Sequence, residues 1–193
     1  MNLSIPKDAF SDGQVRSKLW LANSLNEWGR KYFTSNTTYT LNWYGSWVGL
    51  GPFLLLSLTD IKFSTVNLIE LDDESLKTSR RILDYWICEG VQINTFNENM
   101  NHYLPQSTSE NQLFVNTACE HVLEIDWIKR IPTGAKILLQ STDMTHTEHI
   151  NSVSSLAEFK TQMNPYFSVK EINQLDVSYP NMSFSRFMLF GVK

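Results

Sequence analysis

Apolar residues recur at helical spacing over residues 11–33, where Trp20, Leu21, Leu25 and Trp28 share one side. Ser11 or Asp12 can cap the start of that helix. From Thr37 to Tyr44 the rhythm changes to β-branched and aromatic residues, which predicts a first strand. A glycine-studded turn follows (Gly45, Gly49, Gly51). Pro52, placed where a first helical residue loses nothing by lacking an N–H, opens a short helix over Phe53 to Thr59.

The alternation continues. Thr65 to Leu71 is predicted as the second strand, and Asp73 to Trp86 as a helix capped by Asp72 and closed at Gly90. Val91 to Phe96 and Gln112 to Asn116 give two further strands, and His121 to Lys129 a helix stopped near Pro132 and Gly134. Ala135 to Gln140 is apolar enough for a buried parallel strand. Ser155 to Tyr166 is a helix, Ser168 to Asp176 a sixth strand, and Ser183 to Val192, alternating Phe184, Arg186, Met188 and Phe190, a seventh. Strand and helix in turn predict an α/β fold with a mostly parallel sheet and right-handed crossovers. Val177 to Met182 is too short to hold a crossover helix, so the last two strands must be antiparallel.

Composition narrows the picture. With 193 residues, the chain is expected to form one domain, a helical cap over residues 1–36 followed by a core over 37–193. Hydrophobic residues are 42% and charged residues 19%, the balance of a globular chain. A net charge of −4, with no run of Lys or Arg beyond two, disfavours a nucleic-acid partner. No stretch is apolar and long enough to span a bilayer. No secretory signal is expected, and two widely spaced cysteines, Cys88 and Cys119, fit a reducing cytoplasm.

The candidate chemistry lies at strand ends. A first strand, a glycine turn, a helix and a second strand ending in Glu70 are the order of a nucleoside-binding βαβ unit. Gly49 and Gly51 are expected to let the backbone approach a ligand, and Glu70 to accept hydrogen bonds from a ribose diol. The glycine spacing departs from G-x-G-x-x-G, so a pyrophosphate is not the favoured ligand. Tyr44 and Trp47 are expected to offer aromatic faces to a cation. After the fourth strand comes Cys119-Glu120-His121, where His121 or Glu120 could take a proton from an attacking oxygen or nitrogen. His146-Thr-Glu-His149 could offer two imidazoles to a metal, with Cys119 or His121 completing the set, but it lacks the spacing of H-E-x-x-H and reads as a loop reaching over a substrate, with no metal expected. Lys18 and Trp20 could belong to a lid over cofactor or substrate.

From residue 37 onward this plan resembles the class I S-adenosylmethionine-dependent methyltransferases, a Rossmann-like fold whose last strand inserts antiparallel beside the sixth. The resemblance implies S-adenosyl-L-methionine as cofactor. It puts Tyr44, Gly45, Ser46, Trp47, Gly49 and Gly51 under the methionine part, and Glu70 and Leu71, within Ile69-Glu70-Leu71-Asp72, at the ribose. Asn97 or Asn99 would meet the adenine, and Asn116 would begin the catalytic-side loop. Glu120 and His121 then become the catalytic candidates, with Lys18, Trp20, Cys119 and His146 on the substrate.

Departures accompany the matches. Gly-Ser-Trp stands where many members have an acid and Gly-x-Gly, and Gly49-Leu-Gly-Pro-Phe53 is also similar to the loop of nicotianamine-synthase-like enzymes. Asn116-Thr-Ala-Cys119 is not the Asn/Asp-Pro-Pro-aromatic motif of amino-methylating enzymes. The expectation is a cytoplasmic methyltransferase of a small molecule. The rivals are another reaction of the same cofactor (aminocarboxypropyl transfer or cyclisation) and a catalytically silent binding module. Neither the acceptor nor the oligomeric state is written in the sequence.

Overall fold

A computed structural model describes residues 5–193, which divide into two compact units, one up to Met100 and the other Asn101–Lys193. In the first, α1 (Asp12–Tyr32) buries Leu21, Ala22, Leu25 and Gly29 and packs against α2 (Leu50–Leu58). Ser11 makes no side-chain cap bond, and Asp12 is the first helical residue, paired with Arg16 at 3.6 Å. The strands β1 (Tyr39–Tyr44), β2 (Phe63–Glu70) and β3 (Gln92–Asn97) pair in parallel. Asn42, Asn67 and Asn94 stand opposite one another in these three strands. Asn94 Nδ2 donates to Asn67 Oδ1 at 2.9 Å and Asn67 Nδ2 to Asn42 Oδ1 at 2.8 Å. This ladder satisfies amides that burial would otherwise penalise, and a register slip would break it.

Two helices of this unit differ from expectation. α2 begins two residues before Pro52, which still falls among the first four N–H groups that have no intrahelical partner. The long helix after β2 is two, α3 (Asp73–Ile82) and α4 (Asp84–Cys88), because Leu83 leaves helical geometry at φ −91°, ψ 7°. Asp72 caps α3 as expected, accepting from the backbone N–H groups of Glu74 and Ser75 and from the Ser75 hydroxyl.

In the second unit β4 (Gln112–Asn116) and β5 (Lys136–Thr142) are parallel, and β7 (Met182–Val192) runs antiparallel to both β5 and β6 (Ser168–Tyr179). Pro180 and Asn181 alone join β6 to β7, the short connection that forces the antiparallel pair. The strand order is β3-β2-β1 in the first unit and β4-β5-β7-β6 in the second, seven strands in all among the described residues. The helix expected over His121 to Lys129 does not form. Cys119–His121 is a 3-10 turn, and α5 is only Asp126–Lys129. Asn151 explains this: its Nδ2 donates to the carbonyls of Cys119 at 3.4 Å and Val122 at 2.9 Å, and Val122 is extended. Those carbonyls are ones a continuing helix would need. α6 is Leu156–Met163, capped by the Ser155 hydroxyl.

Candidate functional site

In the first unit the loop between β1 and α2 is fastened to the end of β2. Gly45 N–H donates to the Ile69 carbonyl at 2.9 Å, and Trp47 N–H to Glu70 Oε2 at 2.9 Å. Trp47 has φ 45°, a left-handed conformation rare outside glycine, and the Ser79 hydroxyl on α3 holds its carbonyl at 2.5 Å. Glu70 Oε1 accepts from the N–H groups of Leu71 at 2.8 Å and Asp72 at 3.3 Å. Asn97 Nδ2 donates to the Leu71 carbonyl at 2.7 Å and so braces the same strand end from β3. Glu70 is half-buried at the rim, and Leu71 beside it is 68% exposed. Ser46 is buried, and its hydroxyl has no hydrogen-bond partner among the described residues.

The glycines acquire two different reasons. Gly49 caps α2 at φ 83°, and a Cβ there would lie 2.9 Å from that of Ser79. Gly51 was expected to bring backbone to a ligand, yet its missing Cβ would stand 2.3 Å from the Trp43 ring. Its requirement is packing on Trp43. Tyr44 is fully buried, so its face is turned into the fold, while Trp47 is half-buried and packs with Ala9, Val48 and Leu50.

In the second unit the turn after β4 and the loop after β5 bring a different set together. Asn116 is buried, its Oδ1 accepting from Ala118 N–H at 2.9 Å. Glu120 is 3% exposed, with Oε1 4.0 Å from Arg186 Nη1 on β7 and Oε2 without a partner among the described residues. Burial works against the Arg186 charge and pulls its pKa below the ordinary value, while Glu120 opposes that shift. His121 and His149 stand edge to face with centroids 4.8 Å apart. Cys119 is buried against the Asn116 carbonyl, and burial, reinforced by Glu120, pushes its thiol pKa well up. A protonated, enclosed thiol is part of the packing and no nucleophile.

No protein-family model and no curated protein matches this sequence. Solved structures do. The N-methyltransferase NodS of Bradyrhizobium japonicum WM9, in complex with S-adenosyl-L-homocysteine, superposes with a TM-score of 0.68 at 9% identity, over 98% of this chain and 93% of its own. Geranyl diphosphate methyltransferase, in complex with GPP and sinefungin, gives 0.62 at 12% identity over 98% and 84%. A putative RNA methyltransferase of Pyrococcus horikoshii gives 0.59 at 13% over 100% and 93%. The fold is that of the class I methyltransferases.

Against that methyltransferase fold the remaining expected residues fall as follows. Asn97 and Asn99 lie at and after the end of β3. Lys18 and Trp20 are half-buried on α1, where Lys18 Nζ donates to Gln14 at 3.2 Å. His146 is exposed, and its Nδ1 accepts from Glu148 N–H at 3.3 Å. A cavity of about 150 Å³ lined by Asn26, Tyr39, Ile61 and Lys62 opens at the amino ends of β1 and β2, the edge away from Gly45 and Glu70. Ligands of open α/β sheets bind at the other edge. The sequence reading missed Arg186 and Asn151, and it set aside a metal role for His149, which it had paired with His146 and with Cys119 or His121.

Proposed function

We propose that this protein transfers the methyl group of S-adenosyl-L-methionine to a small-molecule acceptor. The observation that carries the reading is Glu70, a rim carboxylate held at the carboxyl end of β2 by three backbone N–H groups. Oε2, accepting only from Trp47, keeps a lone pair for one ribose hydroxyl, and the long 3.3 Å bond from Asp72 to Oε1 can give way to the second. The unpartnered Ser46 hydroxyl and the exposed Leu71 side chain fit the same ligand, one offering a hydrogen bond to its polar part and the other a surface for its base.

Methyl transfer asks little covalent work of a protein, since the sulfonium is already activated and alignment supplies most of the rate. In the second unit Glu120 and His121, joined by His149, are the candidates for proton transfer from an attacking oxygen or nitrogen, and their lone pairs can equally act as ligands. A small acceptor is favoured by the acidic balance of the chain, net −4, which gives no broad surface for a polyanion.

Calorimetry with S-adenosylhomocysteine should show one site per chain. Incubation of labelled S-adenosylmethionine with metabolite fractions should yield S-adenosylhomocysteine and a labelled product. Methylthioadenosine as the product would replace methyl transfer with aminocarboxypropyl transfer. No binding at all would remove the reading.

A further inference from the structure

The loop from Asp143 to Ser155 is built to hold one histidine beside another. Asp143 N–H reaches the Ser185 carbonyl at 3.2 Å, Ser185 N–H returns to Asp143 Oδ1 at 2.6 Å, and Val153 N–H donates to the Thr142 carbonyl at 3.2 Å. Between these anchors, Asn151 N–H donates to the Glu120 carbonyl at 2.9 Å while its amide clasps Cys119 and Val122. Gln162 on α6 in turn fixes the Asn151 amide, its Nε2 donating to Oδ1 at 3.1 Å. His149, two residues before Asn151, is thereby carried to His121.

The orientation of the rings decides what they can do. His121 Nδ1 lies 3.0 Å from the Glu148 carbonyl and His149 Nδ1 lies 2.8 Å from the Met144 carbonyl. A carbonyl only accepts, so Nδ1 carries the proton in each neutral ring and Nε2 presents its lone pair. His146 is the reverse: its Nδ1 accepts a backbone N–H, which leaves the proton on Nε2. Glu120 adds Oε2, which has no partner among the described residues, while the Arg186 guanidinium lies 4.0 Å from Oε1. One ligand atom from each of Glu120, His121 and His149 lies within 4.8 Å of the other two.

We propose that Glu120, His121 and His149 form a site for a divalent first-row transition-metal ion. Two imidazoles and a carboxylate suit zinc, cobalt, nickel or iron in preference to calcium or magnesium. Nδ1–H groups bonded to carbonyls are the outer-sphere arrangement that fixes the tautomer and aims Nε2 of a metal-binding histidine. Ligand atoms about 2.1 Å from a tetrahedral zinc stand about 3.4 Å apart. The trio must therefore contract, which the exposed His121 and half-buried His149 can do by side-chain rotation. Three protein ligands leave a position open for an oxygen of water or of a bound molecule. Arg186 is the cationic group facing Glu120; its contact is with Oε1, and Oε2 stays available. Cys119 takes no part, because its buried thiol is held protonated.

The site stands on the geometry of Asn101–Lys193 alone and does not depend on methyl transfer. It is tested with untagged, chelator-treated protein in a Cys88→Ser background, since Cys88 is an exposed thiol that would bind the probe itself. Titration with Co²⁺ alone, followed by visible d–d absorption and calorimetry, should give one ion per chain. His121→Ala and His149→Ala should each weaken binding by about 100-fold or more, with unchanged circular dichroism, and Glu120→Gln should weaken it too. His146→Ala should bind as the parent does. Absence of saturable binding overturns the site. So does binding indifferent to both His121→Ala and His149→Ala, or binding that needs His146. Loss of S-adenosylhomocysteine binding is a separate outcome and leaves this one standing.

Discussion

Glu70 and Glu120 are both carboxylates at or just after the end of a parallel strand, β2 in one unit and β4 in the other, but their surroundings differ in kind. Both oxygens of Glu70 accept from backbone N–H groups, so the main chain alone sets its position. Glu120 is more deeply buried and yet has one oxygen with no partner among the described residues and the other 4.0 Å from a guanidinium. Burial without satisfaction is costly. The pair teaches that a carboxylate at a strand end is not one kind of site. Glu70 is a finished acceptor needing only a diol, whereas Glu120 is incomplete until a cation or donor arrives.

The largest expected effect tests the finished acceptor. Glu70→Ala should weaken S-adenosylhomocysteine binding by about 30- to 1000-fold, the equivalent of about 2–4 kcal/mol for two charge-assisted bonds. Glu70→Gln, which keeps one acceptor oxygen, should fall between. Calorimetry giving wild-type affinity for the alanine variant would take Glu70 out of the ribose site and leave it as a clasp for Trp47.

Why one carboxylate could be read from the sequence and the other could not is a matter of range. Glu70 is positioned by a local pattern: Ile69-Glu70-Leu71-Asp72 ends a strand and begins a capped helix, and Asp72 caps α3 as its position predicts. Strand β4 likewise has the predicted bounds, Gln112 to Asn116. The helix expected after it fails because Asn151, about thirty positions on, takes the carbonyls of Cys119 and Val122. The same long-range bonds bring His149 to His121, and no periodicity within either segment encodes that meeting. Gly51 shows a subtler limit. Its presence was legible, but its reason, the Trp43 ring, is a packing fact across the β1–α2 unit.

The incomplete acceptor is tested through stability. Glu120→Gln should leave Arg186, itself 9% exposed, without its carboxylate, and cost about 3 kcal/mol in metal-free denaturant unfolding. Arg186→Met should also destabilise by stranding Glu120. The double variant should cost clearly less than the two singles together, because it removes both charges. Additive losses would mean that the two side chains do not sense each other across 4.0 Å.

The smallest effect separates the fixed strand end from the helix that follows it. Asp72→Ala removes the cap of α3 and should cost about 1 kcal/mol, since its carboxylate serves two backbone N–H groups and a hydroxyl. The Ser75 hydroxyl bond is the chief cause holding the Asp72 pKa below its ordinary 3.8. A carboxylate with a lowered folded-state pKa contributes stability that is fully present above the unfolded value and lost as pH falls through the folded one. The difference between wild type and Asp72→Ala should therefore be constant at neutral pH and shrink below about pH 4. Because Glu70 is held by Trp47 and Leu71 as well as Asp72, S-adenosylhomocysteine affinity at neutral pH should stay within a few fold. A large loss of affinity in Asp72→Ala would show that the cap, and not the backbone clasp alone, sets the position of Glu70.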